Sequence, residues 1–207
     1  MCGADLTIKF SLPGWIPDFL RGVTVVANTA DRMRLVIEAA RRNVAAGTGG
    51  PFAAAVFESG SGRLISLGVN LVTSQNMSVL HAEMVAIMAA QRALGTWDLG
   101  ATGLPTHELV TSAEPCAMCF GAIPWSGVRR VVSGATDADA RAIGFDEGPK
   151  VADWCHALED RGIAVLSNVL RDEARAVLIN YAARSGIIYN SRGMTRVPAD
   201  EAPVLAD

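Results

Sequence analysis

Apolar and polar positions alternate along the chain in a way that predicts both helices and strands. Between Met33 and Val44 the apolar residues recur with helical spacing, which predicts a helix capped by Asp31 and ending near Ala46, before GTGG. Two short apolar runs follow, PFAAAVFE and RLISLGVN, and the turn-forming sequence SGSG between them predicts a β-hairpin.

The same alternation continues to the C-terminal region. A helix is predicted from about Leu80 to Leu94, and residues 137–150 are predicted to be loop with a short helical turn. Predicted strands are HELVTS, VRRVVSGA and IAVLSN, and predicted helices begin at CAMCFGAI, VADWCHALEDRG and RDEARAVLINYAARSG. A hairpin followed by alternating helices and strands predicts an α/β fold, a three-layer α/β/α sandwich around a mixed sheet of about five strands.

The length of 207 residues suits a single domain, here predicted to span 1–207. Residues 1–30, with two prolines and scattered large apolar groups, are predicted to form an arm packed outside the core. Residues from about 187 to 207 are predicted to form a tail. We find no apolar run long enough for a membrane helix, and Asp5 and Lys9 interrupt the region where a signal peptide would be apolar.

Charge and cysteine content narrow the function classes. The formal net charge is −3 and the isoelectric point is near 5.6, which argues against a nucleic-acid partner. The four cysteines, Cys2, Cys116, Cys119 and Cys155, do not resemble a disulfide framework in a chain of this length. We therefore expect a cytoplasmic protein with reduced thiols.

Two motifs carry the candidate chemistry: His-Ala-Glu at 81–83 and Pro-Cys-Ala-Met-Cys at 115–119. Each opens a predicted helix, where the positive end of the helix dipole favours a thiolate. His81, Cys116 and Cys119 supply three zinc ligands, which leaves a fourth position for water, as in catalytic zinc sites. Glu83, two residues from the histidine, is placed to exchange protons with that water without binding the metal.

Two other interpretations of the cysteines are weaker. A structural zinc site could combine the Cys-x-x-Cys pair with Cys155 and His156, but adjacent residues on a helix point about 100° apart and make poor co-ligands. A redox-active Cys-x-x-Cys pair after a strand is the other alternative, and it leaves His81 and Glu83 without a role.

His-x-Glu followed by Pro-Cys-x-x-Cys is the signature of zinc nucleobase deaminases. From about residue 31 to 190 the chain resembles the cytidine deaminase superfamily, in the branch that contains bacterial guanine deaminases and tRNA adenosine deaminases. The segments that carry this resemblance are GGPFAAAVF, GVN, HAEM, EPCAMCFGAIPWSGVRRVV, AIGFDEGP and GIIYN. The last two are similar to guanine deaminases in particular.

The resemblance implies a role for each of ten residues. It implies Zn²⁺ held by His81, Cys116 and Cys119, Glu83 as acid and base, Phe52 stacked on the base, Asn70 and the Ala82 backbone bonded to its polar edge, Trp125 lining the pocket, Glu147 accepting from the base, and Tyr189 closing the pocket. It also implies a homodimer in which the C-terminal segment can cap the partner's active site. Without the resemblance, Phe52 and Trp125 would be interpreted as packing aromatics and Asn70 as a turn residue.

The proposed role of Glu147 also has a direct chemical basis. Guanine presents N1–H and the 2-amino group as adjacent donors, and one carboxylate accepts both, whereas adenine lacks both donors and cytosine lacks the pair. A buried acceptor that is left unpaired penalises the wrong base, by up to roughly 10⁴-fold. The sequence therefore predicts a zinc-dependent hydrolase that converts guanine to xanthine and ammonia.

Alternative functions remain open at this point. Related substrates are an ammeline-type aminotriazine, guanosine and cytosine, and a tRNA adenosine is a further alternative because several arginines lie near the C-terminus: Arg171, Arg175, Arg184, Arg192 and Arg196. A zinc-stabilised binding module without activity is the alternative from another class. Glu83 argues against such a module, because a structural zinc site does not need it.

Overall fold

The computed structural model describes residues 7–190 and the backbone of 193–196. Its main feature is a five-stranded mixed sheet in the order β2-β1-β3-β4-β5, antiparallel at β2-β1 and β1-β3 and parallel at β3-β4 and β4-β5. The strands are β1 Ala53–Glu58, β2 Leu64–Val69, β3 His107–Ala113, β4 Arg130–Ala135 and β5 Ala164–Leu166. The predicted hairpin and the predicted mixed sheet are confirmed.

Eight helices and a second, two-stranded sheet complete the described part of the chain. The helices are α1 Ile16–Phe19, α2 Thr29–Ala45, α3 Val72–Gln75, α4 Ala82–Leu94, α5 Ala117–Ser126, α6 Asp137–Ala142, α7 Trp154–Glu159 and α8 Arg171–Ala183, and the small sheet pairs β6 Ile187–Asn190 with β7 Gly193–Arg196. None of the helices in this described part is long and apolar enough to cross a membrane.

Two hydrophobic clusters, one on each face of the large sheet, give the predicted three layers. Apolar residues of α2 and α8 pack with alternate residues of β1, such as Ala55 and Phe57. Apolar residues of α4, α5 and α7 pack with the intervening Ala54 and Val56. Successive strand residues point to opposite faces, so one strand contributes to both layers.

Helix α2 begins earlier than its sequence indicates. Asn28 has extended backbone and its side chain accepts the Asp31 N–H at 2.9 Å, so Asn28 is the cap and the prediction of Asp31 was wrong. Both residues are good capping types, and Asp31 instead occupies the first turn, where the helix dipole favours its negative charge.

The described part of the N-terminal arm packs against the side of the sheet that α2 covers. Ile16 belongs to the same buried cluster as the apolar residues of α2, and Val25 forms an isolated antiparallel bridge with Arg63. The buried Arg32 at the start of α2 donates to the carbonyl oxygens of Val26 and Ala27, and to the buried Glu108 of β3 at 2.6 Å. These bonds fix the junction between the arm and the helix.

Candidate active site

Two helices present their N-termini to the same point. His81 is the N-cap of α4 and Cys116 is the N-cap of α5, which follows the end of β3. Gly68 of β2 lets α4 lie close to the sheet, because a Cβ there would stand 2.4 Å from the Ala82 carbonyl oxygen and the Ala86 nitrogen. The packing of α4 on β2 thus sets where His81 and the residues after it lie.

The side chains of His81, Cys116 and Cys119 converge, with their ligand atoms all within 4.8 Å of one another. The His81 Nδ1 and Cys116 Sγ atoms are 3.4 Å apart. Tetrahedral zinc, with Zn–S near 2.3 Å and Zn–N near 2.0 Å, requires an S···N separation of about 3.5 Å. The donor set and its spacing therefore fit a zinc ion.

The two cysteines differ in acidity. Hydrogen bonding from Cys119 and from His81 lowers the pKa of Cys116 to about 4, against the opposing effect of burial. The hydrogen bond with Cys116 and burial raise the pKa of Cys119 above its ordinary value. The thiolate form of Cys116 is therefore favoured next to the positive ends of two helices, and a thiolate is the form that binds a metal cation.

Two buried carboxyl groups lie beside these ligands. Glu83, in the first turn of α4, is 7% exposed, and burial together with the Cys116 thiolate raises its pKa to about 7. Glu147 lies on the loop between α6 and α7 and is also 7% exposed; burial, Cys116 and Glu83 raise its pKa to about 8. A dication at the three ligands would oppose the effect of the thiolate and favour the carboxylate forms.

A cavity of about 440 Å³ opens onto this cluster. Seven of the residues proposed from sequence line it: Phe52, Asn70, His81, Glu83, Cys116, Glu147 and Tyr189. Cys119 and Ala82 are fully buried just behind its wall. The backbone N–H of Ala82 belongs to the first turn of α4, where amides have no partner within the helix.

Polar and aromatic groups divide the cavity wall. The Asn70 Oδ1 atom accepts the Val72 N–H at 3.2 Å, which leaves the amide NH₂ of Asn70 as the donor available to a ligand. The Phe52 ring packs edge-to-face on Phe145, with centroids 5.0 Å apart, and Phe145 packs on Tyr189 at 5.1 Å. The wall thus offers a donor, two acidic groups and aromatic surface to a flat ligand.

Tyr189 comes from β6 of the same chain. Its hydroxyl oxygen is buried and has no hydrogen-bond partner within the described residues. Tyr189 therefore lines the cavity of its own chain, and the capping of a partner's site by this segment stays a prediction. The part of the predicted tail at 191–192 and 197–207 lies outside the described residues.

Trp125 is the predicted pocket residue that the structure does not bring to the cavity. It lies in the last turn of α5, is 84% exposed, and lines a separate groove of about 300 Å³ together with Trp97, Arg129 and Arg161. Within a single chain Trp125 therefore lies outside the cavity, and its assignment to the pocket stays a prediction. Nine residues of helix carry it more than two turns away from Cys116.

Several residues of the site were missed by sequence reasoning. They are Val72, Ser78, Glu114, Phe145 and Asn190, all of which line the cavity. The Asn190 side chain bonds to the loop that carries Glu147, accepting from the Asp146 N–H and donating to the Gly144 carbonyl oxygen, both at 2.9 Å. The nearest sequence signal was the GIIYN segment itself, which does not reveal its contacts.

The alternative uses of the cysteines find no support in the geometry. The Cys155 side chain lies near the Ser167 hydroxyl at 3.6 Å, and His156 is exposed beside Asp160. Within the described residues, the candidate metal cluster contains neither of them. Neither Cys116 nor Cys119 forms a disulfide.

An α/β/α sandwich with His, Cys and Cys at two helix N-termini and a buried glutamate beside them defines a class of zinc deaminase. Residues 27–135, more than half of the chain, match the family model described as the cytidine and deoxycytidylate deaminase zinc-binding region. The chain belongs to this family, as the resemblance predicted.

The proteins similar to this chain include guanine deaminases and a tRNA-specific adenosine deaminase. The solved guanine deaminase from Nitrosomonas europaea has 49% sequence identity and a TM-score of 0.82, over 86% of this chain and 98% of that chain. The guanine deaminase of Bacillus subtilis (strain 168) is 38% identical over 115 residues, which are 56% of this chain and 69% of that protein. The tRNA-specific adenosine deaminase of the same strain is 45% identical over 78 residues, 37% of this chain and 45% of that protein.

Proposed function

We propose that this chain is a zinc-dependent aminohydrolase that converts free guanine to xanthine and ammonia. The observation that carries the proposal is the buried Glu147 at the edge of a cavity whose other groups are Glu83 and the three converging metal ligands. Two guanine deaminases among the relatives, one of them similar over 86% of this chain, support it.

His81, Cys116 and Cys119 would hold the zinc ion, which in this class of enzyme supplies an activated water at neutral pH. Glu83 accepts a proton from the water as it adds to the amino-bearing carbon, and passes it to the adjacent ring nitrogen. Glu83 then takes the remaining proton of the added hydroxyl group and passes it to the amine, which leaves as ammonia as the new C=O bond forms. A buried carboxyl group is suited to both directions of transfer, because burial raises its pKa towards neutral pH.

Recognition of the base follows from the cavity wall. Glu147 accepts N1–H and the 2-amino group, the Asn70 amide and the Ala82 N–H donate to acceptors of the base, and the Phe52 ring stacks on it. Tyr189 covers the bound base and excludes water. The 2-amino group is also the leaving group, so Glu147 lies beside the reacting carbon.

A tRNA adenosine is the alternative substrate, because the tRNA-specific adenosine deaminases are relatives. An anticodon stem-loop requires an exposed basic surface. Of the C-terminal arginines that suggested such a surface, Arg171 and Arg175 both bond to the buried Asp139. The side chains of Arg192 and Arg196 lie outside the described residues.

The experiment that tests the proposal measures ammonia release from the zinc-loaded protein. The panel contains guanine, guanosine, adenine, cytosine, ammeline and an adenosine-containing anticodon stem-loop. We expect guanine to have the highest kcat/KM. Preference for any other compound refutes the recognition scheme, and the absence of turnover on the whole panel refutes the enzymatic assignment in favour of a binding module.

The proposal includes a homodimer in the cytoplasm, where the thiols stay reduced. The exposed side chains of Trp97 and Trp125 lie on one groove with Arg129 and Arg161, and a pair of exposed tryptophans on one face is typical of a protein interface. We expect light scattering to give the mass of a dimer, and Trp125→Ala to shift it towards the monomer. A wild-type monomer at all accessible concentrations contradicts this part of the proposal.

A further inference from the structure

The fully buried side chain of Asn43, in the last turn of α2, lies between the two backbone segments that carry Phe52 and Asn70. Its amide nitrogen donates to the Gly50 carbonyl oxygen and to the Asn70 carbonyl oxygen, both at 2.9 Å. The Asn70 N–H in turn donates to the Phe52 carbonyl oxygen at 3.0 Å. One amide group thus ties the entry to β1 to the exit from β2.

The orientation of the Asn43 amide is itself fixed. The Thr48 hydroxyl donates to the Asn43 Oδ1 atom at 2.7 Å, so the amide NH₂ must face the two carbonyl groups. The Thr48 oxygen accepts the indole N–H of Trp15 at 3.1 Å. The hydrogen-bonded chain therefore runs from the N-terminal arm, through Thr48 and Asn43, to the backbone of Asn70.

The backbone at residues 49 and 50 lies so close to these hydrogen-bonded groups that only glycine fits there. A Cβ at Gly49 would stand 1.8 Å from the Asn70 carbonyl oxygen and 2.9 Å from the Asn43 Nδ2 atom. A Cβ at Gly50 would stand 2.7 Å from the Tyr189 hydroxyl oxygen. The segment that Asn43 holds therefore also packs against the Tyr189 side chain.

We infer that Asn43 is a positioning residue of the active site, and that Trp15 and Thr48 make the N-terminal arm part of its support. Asn43 does not line the cavity; it acts through Asn70 and through the backbone next to Phe52. This inference rests on the proposed function for its effect on catalysis. The geometric part, that Asn43 restrains residues 49–53 and 69–72, does not depend on the substrate.

The test uses Asn43→Ala and the milder Thr48→Val, which keeps the shape of the side chain but removes the hydroxyl. The matched control is Asn28→Ala at the other end of α2, which removes a helix cap and makes no contact with the cavity. KM and kcat are measured with the panel substrate that the wild-type protein turns over best. Hydrogen exchange is measured on peptides covering 49–53, 69–72 and, as a reference, 107–113.

We expect Asn43→Ala to raise KM roughly tenfold, with a smaller fall in kcat, because the hydrogen bonds that hold the Gly50 and Asn70 carbonyl oxygens are lost. Thr48→Val should move KM in the same direction, and Asn28→Ala should leave it unchanged. Exchange should accelerate in 49–53 and 69–72 relative to 107–113 in the first two variants only. If Asn43→Ala fails to fold, Thr48→Val carries the test.

The outcomes separate this inference from the proposed function. Exchange that rises equally in all three peptides, or a KM that stays unchanged in a folded Asn43 or Thr48 variant, overturns the positioning role. If exchange accelerates locally in the variants while the wild-type protein releases no ammonia from guanine, the restraint on 49–53 and 69–72 stands and guanine is refuted as the substrate.

Discussion

The different tasks that we propose for Glu83 and Glu147 follow from their different neighbours in the cavity. Glu83 lies two residues after His81, in the first turn of α4. Glu147 lies on a loop, and its backbone carbonyl oxygen accepts the Ala117 N–H of α5 at 2.9 Å. Both carboxyl groups are buried and both have raised pKa values, of about 7 and about 8. Perturbed carboxyl groups of this kind cluster at active sites.

Replacement of Glu83 by glutamine removes the proton carrier and keeps its size. We expect kcat to fall by roughly 10²–10⁴-fold, the usual contribution of a general acid and base. Zinc content should be unchanged, because Glu83 is outside the ligand cluster. Metal analysis of the purified variant checks this, with His81→Ala as the variant that loses the metal. Turnover by Glu83→Gln close to the wild-type rate would contradict the proposed mechanism.

Replacement of Glu147 by glutamine should affect guanine turnover and stability in opposite directions. A carboxyl whose pKa is raised in the folded protein costs stability above its unfolded pKa, so the neutral amide should leave the free energy of unfolding at pH 7 unchanged or higher. The kcat/KM for guanine should fall by roughly 10²-fold or more, because the paired donors lose their acceptor.

The neighbouring Asp146 offers the control for that experiment. Its side chain is half exposed, so Asp146→Asn should reduce kcat/KM much less than Glu147→Gln does. Urea denaturation and steady-state kinetics measure the two effects. Unaltered guanine kinetics in Glu147→Gln would refute its role in recognition.

At the scale of elements, β6 is hydrogen-bonded to the loop that carries Glu147. The side chain of Asn190, the last residue of β6, bonds to the backbone of Gly144 and of Asp146, the two neighbours of Phe145. The preceding residue, Tyr189, lines the cavity. The strand therefore lines the cavity and bonds to the loop that carries Glu147.

We expect Asn190→Ala to raise KM for guanine by about tenfold, because two hydrogen bonds to the loop that carries Glu147 are lost. Asn190→Asp keeps the acceptor for the Asp146 N–H and loses only the donor, so its KM should lie between those of Asn190→Ala and the wild-type protein. The KM values come from steady-state kinetics, and equal values for the three proteins would contradict this coupling.

At the scale of the whole molecule, an ion pair joins α6 to α8. Burial alone would raise the pKa of Asp139, but bonds from Arg171 and Thr136 lower it to about 2. A lowered carboxyl pKa stabilises the fold above the unfolded pKa near 4, and this contribution is lost as the pH falls from about 4 to about 2.

We expect Asp139→Asn to lower the free energy of unfolding at pH 7 by about 1 kcal/mol, less than the pKa shift alone implies, because Arg171 is nearly half exposed and water screens the pair. The difference from the wild-type protein should shrink below pH 4. Urea denaturation between pH 3 and 7 measures it, with the exposed Asp172→Asn as control. A difference that does not change with pH would show that charge is not its cause.

The sequence predicted the elements well where local patterns decide them. The hairpin at SGSG, the buried β3 and the helices after His81 and Cys116 follow from periodicity and turn chemistry, which are local properties. The cap of α2 was misplaced because Asn28 and Asp31 are both good capping residues, and only the backbone at residue 28 decides between them.

What the sequence by itself determined is the local spacing of the candidate groups: His81 and Glu83 lie at the start of one helix, and Cys116 and Cys119 at the start of another. What only the tertiary structure decided is every relation between distant segments. It placed Trp125 on an outer groove, Tyr189 over its own cavity, Asn190 on the Glu147 loop and Asn43 behind Asn70. Spacing along one helix dictates direction, whereas contacts between elements depend on how the layers pack, and no local pattern contains that information.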